Sequence, residues 1–126
     1  NAHVNVTSYN RLLLLTGEVP TTAAREDAER VGRGVENVRG VFNELQVGAI
    51  SAITARTNDA YLTSKVKARF IDSGGKFSPV HVKVVTEAGV VYLLGLVRRA
   101  EADAATDIAR TTGGVAKVVK LFEYLD

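Results

Sequence analysis

The sequence predicts an α+β protein in which one small strand–strand–helix–strand unit is used twice. Three observations predict it. His3-Val4-Asn5-Val6 stands 78 residues before His81-Val82-Lys83-Val84, and Leu15, Gly17 and Val19 match Leu93, Gly95 and Val97 at the same offset. At an offset of 77, Ala28, Val31, Arg33, Val38 and Val41 match Ala105, Ile108, Arg110, Val115 and Val118, so one indel separates a strand part from a helix part. Within each unit the apolar period changes from two to about 3.6 and back, as it does when a helix lies between strands.

Taken in order, Val4 and Val6 alternate with Asn5 and Thr7 as a half-buried strand, and Asn10-Arg11 turns the chain into a second strand from Leu12 to Leu15. Thr22 to Arg33 reads as a helix ended at Gly34, and Val38, Val41 and Leu45 belong to the last strand of the unit. Residues 1–47 form this first unit, 48–57 a connector and 58–126 the second unit. The second opens on an element that the first lacks. Asn58-Asp59 offers helix caps, and Ala60 to Ser73 reads as a helix stopped by Gly74-Gly75, with Leu62, Val66 and Phe70 facing the sheet. Val80, Val82 and Val84 then alternate as a strand, Glu87-Ala88-Gly89 turns, and Val90 to Leu94 returns. A helix from Arg99 to Thr111 follows, with Ala100, Ala104, Ala105 and Ile108 as its apolar stripe. Gly113-Gly114 ends it, and Val115, Val118 and Phe122 fill the last strand. The missing first helix of unit 1 is expected upstream of Asn1, and without it a sheet face of unit 1 should stand open.

The chain has 126 residues, 46% hydrophobic and 24% charged, enough aliphatic surface to exclude wholesale disorder. With no Cys, disulfides, thiolate zinc sites and cysteine nucleophiles are excluded together. The longest uninterrupted apolar run, Leu12 to Leu15, is far short of the ~20 residues of a membrane helix. The chain opens at Asn1 and not at Met, so a mature or trimmed product is expected, and any signal sequence or lipid anchor would have been lost with the removed part.

The net charge of +2 is an average. Residues 56–86 carry Arg56, Lys65, Lys67, Arg69, Lys76 and Lys83 against only Asp59 and Asp72, a net +4 that points to an anionic partner. On a helical wheel Tyr61, Lys65 and Arg69 form an i, i+4, i+8 stripe beside the Leu62/Val66/Phe70 face, while Lys67 lies elsewhere.

Catalytic and metal patterns do not assemble. His3 and His81 occupy equivalent strand positions, but zinc requires three or four ligands and there is no third His. Gly32-x-Gly34 lacks the third Gly of a dinucleotide loop, Gly75-Lys76 lacks the upstream Gly of a P-loop, and no Gly-x-Ser-x-Gly elbow occurs. No two of the eleven Gly residues stand three positions apart, so the Gly-x-x-Gly clamp of a KH module is missing and nucleic acid is not the expected partner. The expectation is a protein without catalytic, cofactor or metal residues.

The ordered set Val4, Val6, Leu13, Leu15, Gly17, Val19, Ala28, Val31, Val38, Val41, Asn43, Leu45 and Val47 resembles the BON domain (bacterial OsmY and nodulation). The second set runs Val82, Val84, Val91, Leu93, Gly95, Val97, Ala105, Ile108, Gly114, Val115 and Val118, with Lys120 where the family often has Asn. The double copy, with Asn58-Asp59 leading into the second, looks like the tandem-BON envelope lipoproteins. That resemblance implies two αββαβ units, each a small mixed sheet with helices on one face, the first lacking its first helix here. It also implies a periplasmic protein tethered to the outer membrane by an N-terminal lipid anchor. The expected role is in envelope integrity, with anionic phospholipid bound through the first helix of the second unit. On this chain the implied lipid-binding residues are Tyr61, Lys65, Lys67 and Arg69, with Tyr61 where some relatives carry Trp. The alternative is an adaptor that binds an envelope protein partner without touching lipid.

Overall fold

In unit 1, β1 (His3–Tyr9) pairs antiparallel with β2 (Leu12–Val19) through Asn10 and Arg11, whose φ angles are 50° and 64°. Two successive left-handed residues make the turn whose twist matches that of paired strands, and Asn tolerates the conformation well. The computed structural model describes residues 2–48 and 53–126. It divides into two units, Asn1–Ile53 and Thr54–Asp126. The Thr21 hydroxyl accepts the Ala24 N–H at 3.1 Å and starts α1 (Thr22–Arg33). The chain then returns as β3 (Gly40–Asn43) and β4 (Gln46–Val47), both parallel to β2, in the order β1-β2-β3.

The sequence suggests one last strand here, and the structure breaks it in two. β3 and β4 keep one register against β2, with Leu15 opposite Asn43 and Glu18 opposite Gln46. Between them the Asn43 side chain accepts the Leu45 N–H at 3.3 Å and donates to the Arg25 carbonyl at 2.9 Å. The Arg25 guanidinium takes the carbonyls of Asn43 and Leu45 at 2.7 and 2.9 Å. These side-chain bonds compete with the ladder. Unit 2 has Lys120 and Ala102 at the matching places, and its last strand, β7 (Lys117–Tyr124), runs unbroken.

Unit 2 begins with α2 (Ile53–Ile71), which starts earlier than the expected Ala60; residues 49–52 of the expected connector lie outside the described residues. Asn58-Asp59 is therefore helix interior and not a cap. Asp59 is buried, and its carboxylate accepts the N–H groups of Ala88 and Gly89 at 2.7 and 2.8 Å. A tertiary use has displaced the local one. Those two residues, with φ of 51° and 78°, form the turn between β5 (Lys83–Glu87) and β6 (Val90–Val97). Val80 also departs from the expectation: it sits in a short 3-10 turn, Pro79–His81, and is exposed, because Pro79 has no N–H to give a ladder. β5 pairs antiparallel and β7 parallel with β6, so the sheet order is β5-β6-β7.

On α3 (Arg99–Arg110) the innermost residues are Ala102, Ala105 and Ala109, with Ala104 and Ile108 half-buried and Ala100 exposed. The stripe is thus rotated from the one expected through Ala100, and three alanines let the helix lie close on the sheet. The core of unit 2 joins Val66, Phe70 and Phe77 to Val82, Val84 and Leu93, with the two Phe rings edge-to-face at 5.0 Å. Unit 1 has the smaller core, Leu15, Val19 and Leu45 with Ala24, Ala28 and Val41 against it. Each fully buried aliphatic or Phe side chain contributes about 1.5–3 kcal/mol. The repeated Gly has a steric cause in both units: a Cβ at Gly17 would run into the His3 carbonyl, and one at Gly95 into the His81 carbonyl.

Candidate functional site

The basic segment isolated by charge lies on α2 and the chain after it. Leu62, Val66 and Phe70 point inward and are buried, which fixes where every other side chain of the helix goes. Tyr61 is 62% exposed. Lys65 follows one turn later, its Nζ 5.4 Å from the centre of the Tyr61 ring, a cation–π distance. The same Nζ donates to the Gly113 carbonyl at 2.9 Å. Another turn on, Arg69 Nη1 donates to the Ile108 carbonyl and to the Thr112 hydroxyl, both at 2.7 Å. Thr112 is itself buried and returns its hydroxyl proton to the Ile108 carbonyl at 2.7 Å.

Two of the four residues marked by the sequence therefore hold structure as well as charge. Ile108 and Gly113 flank the C-terminal end of α3, where carbonyls run out of helical partners and the helix dipole is negative. Lys65 and Arg69 satisfy that end from the neighbouring helix and pin α2 to α3. Tyr61, Lys65 and Arg69 are brought together along one edge of α2, whereas Lys67 stands exposed on another part of the helix.

The structure adds residues that the wheel did not single out. Ile71 is 74% exposed, ten residues and so about 15 Å along the axis from Tyr61. Between them the outward face carries only Ser64 and Ala68, at i, i+3, i+7 and i+10 from Tyr61. The outward face of α2 is thus a smooth small-residue strip with a large apolar side chain at each end, bordered by Lys65 and Arg69 on one side and Lys67 on the other. The signal was present in the sequence, since Ile71 falls off the Leu62/Val66/Phe70 line, but an apolar residue beside Phe70 reads as core until the helix is placed. Lys76 joins Arg69, Asp72, Ser73 and Ile108 around a shallow concavity of about 330 Å³ at the end of α2. Of the two acids that offset the basic segment, Asp59 is turned inward and only Asp72 is exposed.

Among the described residues no group of three His, Cys, Asp or Glu side chains is placed to hold a metal ion. No helix among them is long and apolar enough to cross a membrane.

A small mixed sheet in which an antiparallel pair leads through a helix to a parallel return, with a glycine that leaves room for a close carbonyl, is shared by the two units, and among the described residues unit 2 adds α2. The profile of the BON domain matches residues 1–49 and 58–126, and the chain belongs to the BON domain family. It is 43% identical over 124 residues to the outer membrane lipoprotein DolP of Haemophilus influenzae, covering 98% of this chain and 63% of that protein. It is 36% identical over 124 residues to the 21 kDa hemolysin of Actinobacillus pleuropneumoniae, again covering 98% and 63% of the two chains. To the osmotically-inducible protein Y of Escherichia coli it is 33% identical over 118 residues, 91% of this chain and 58% of that one. The chain spans less than two thirds of the length of each of these relatives.

Proposed function

We propose that this chain belongs to a tandem-BON envelope protein, periplasmic and tethered to the outer membrane, that docks on anionic phospholipid through the outward face of α2. Its role is non-catalytic support of envelope integrity. The observation that carries the reading is the pairing of two exposed apolar anchors, Tyr61 and Ile71, with cations on both sides of the strip between them. A tyrosine and an isoleucine at the level of the headgroups bury apolar surface, while Lys65, Lys67 and Arg69 meet phosphate oxygens. Each basic residue near an anionic surface adds about 1 kcal/mol. The identity to an outer membrane lipoprotein supports the location.

Because Lys65 and Arg69 also hold α3, reversing their charge would disturb the fold, and the cleaner variant is Tyr61→Ala with Lys67→Glu. Co-sedimentation with vesicles of phosphatidylcholine, with and without phosphatidylglycerol, tests the site. The parent is expected to pellet only with the anionic vesicles, and the double variant to remain in the supernatant with an unchanged thermal midpoint. Equal pelleting of parent and variant would sink the assignment. A specific protein captured by cross-linking, with no dependence on lipid, would favour the adaptor reading instead.

A further inference from the structure

The two units differ at the outer edge of the sheet, along their last strands. In unit 1 the Glu44 N–H donates to the Leu15 carbonyl and the Gly48 N–H to the Val19 carbonyl, both at 2.9 Å. Alternate residues of a strand turn their backbone groups to opposite sides, so Val41, Asn43, Leu45 and Val47 turn theirs away from β2. Side chains close that outward row. Arg25 takes the Asn43 and Leu45 carbonyls at 2.7 and 2.9 Å, and the Asn43 carboxamide takes the Leu45 N–H at 3.3 Å. In unit 2 the Leu125 N–H donates to the Val97 carbonyl at 2.8 Å, so Val118, Lys120, Phe122 and Tyr124 are the residues turned away from β6. They match the unit 1 row at the offset of 77. Ala102 stands at the place of Arg25 and has no side-chain donor; Lys120 stands at the place of Asn43 and has no side-chain acceptor. Among the described residues nothing takes the outward N–H and C=O groups of this row. The edge is therefore sealed in one copy and open in the other.

We propose that the open edge of β7 takes an extended segment of another protein as a further strand of the unit 2 sheet, and that Lys120 selects an acidic one. The site uses no residue of the outward face of α2. An unpaired strand edge offers main-chain hydrogen bonds to any extended chain, and the side chains along it decide which chain is accepted. Lys120 is the charged residue of the outward row; it is exposed and, among the described residues, makes no ion pair. A lysine there repels a basic segment, whereas an Asp or Glu directly opposite pairs with it. Two residues to either side, Val118 and Phe122 are half-buried and packed against the unit 2 core, so apolar side chains opposite them extend that cluster. The incoming strand therefore reads apolar, acidic, apolar at alternate positions. A second copy of β7 does not supply this, because its own outward row holds no acid.

The test is an NMR titration of the nitrogen-15-labelled protein with acetyl-Thr-Val-Thr-Glu-Thr-Val-Thr-amide, and with the same peptide carrying Lys in place of Glu. The Glu peptide is expected to shift the amides of Val118, Lys120 and Phe122 and to leave those of Asn43 and Leu45 in place. The Lys peptide should bind about five-fold more weakly, the effect of one cross-strand charge pair. Lys120→Glu should reverse that order, which a misfolded variant could not do. Methylating the peptide nitrogens that face β7 should abolish the shifts, whereas a purely ionic contact would survive it and overturn the proposal. No response at the β7 amides, or equal affinity of the two peptides for the parent, would overturn it too. Shifts at these amides that follow protein concentration alone would give the edge to a second copy and overturn it as well.

Discussion

Asp59 Oδ1 accepts the Gly89 N–H at 2.8 Å, joining the middle of a helix to the tip of a hairpin 30 residues away. The partner oxygen takes the Ala88 N–H at 2.7 Å, so one buried carboxylate closes both donors of a left-handed turn. Removing it leaves two N–H groups without acceptors and loosens α2 from the sheet. Asp59→Ala is expected to cost about 2–4 kcal/mol, since bonds to charged groups contribute about 1.5–3 kcal/mol each and losses at one site are not additive. Asp59→Asn keeps one acceptor and should fall between. Urea unfolding read by far-UV circular dichroism measures both, and an Asp59→Ala midpoint equal to that of the parent would refute the role.

Gly17 and Gly95 occupy the same place in the two units, but they differ in backbone. Gly17 has φ of 120°, and its missing Cβ also leaves room for the His3 carbonyl; at Gly95 only the close His81 carbonyl forbids a side chain. Both Gly→Ala variants should destabilise their unit by about 1–3 kcal/mol, with Gly17→Ala the worse. Thermal unfolding of the two single variants checks the order.

These glycines show what the sequence made legible. The duplication, the strand alternation and the Gly-x-Val step were visible because side-chain period and backbone sterics act over a few residues. The four positions Tyr61, Lys65, Lys67 and Arg69 could be placed on one helix and around its core face for the same reason. What could not be read depended on distant partners. Asn58-Asp59 looks like a cap because nothing local says that Asp59 will find Ala88 and Gly89. Lys65 and Arg69 look like free surface charge because the carbonyls of Gly113 and Ile108 lie some 40 residues on, at the end of another helix. Ile71 is hidden by its neighbour Phe70 until the inward direction of α2 is fixed.

The break between β3 and β4 makes a testable difference between the repeats. Asn43 bridges the Leu45 N–H and the Arg25 carbonyl, and Arg25 answers with the carbonyls of Asn43 and Leu45. Asn43→Ala should lower the stability of unit 1 by about 1–2 kcal/mol, the value of two partly buried bonds. The matching Lys120→Ala should change unit 2 by less than about 0.5 kcal/mol, as expected for a surface site. Chemical denaturation followed by residue-resolved NMR separates the two units.

Glu29 provides a pH-dependent contact. The Arg33 guanidinium at 3.0 Å, and after it the Asn43 side chain, hold its carboxyl below the ordinary value of 4.5. A folded value below the unfolded one means that the contribution is complete above the unfolded value and disappears as pH falls through the folded one. The stabilisation is therefore lost on the acid side of 4.5 and is constant at neutral pH. Carbon-13 titration of the Glu29 carboxyl should show the low midpoint in the parent and its return toward 4.5 in Arg33→Gln.

The proposed docking on lipid through α2 carries a specific electrostatic signature. Lys65, Lys67, Arg69 and Lys76 stand around the helix and its end, and Asp72 is the exposed acid among them. Replacing Asp72 with Asn removes repulsion from an anionic surface and should tighten binding by about five-fold, the equivalent of the ~1 kcal/mol that one charge contributes there. Salt should act oppositely. Raising ionic strength from 0.1 to 1 M shortens the screening length from about 10 to 3 Å, so binding should fall steeply while the apolar contacts of Tyr61 and Ile71 persist. Tyr61→Ala should lower affinity by a similar factor at every salt concentration, since it removes apolar burial and not charge. Vesicle titrations of the three proteins across ionic strength distinguish these outcomes, and a salt-independent affinity for phosphatidylglycerol vesicles would contradict the assigned surface.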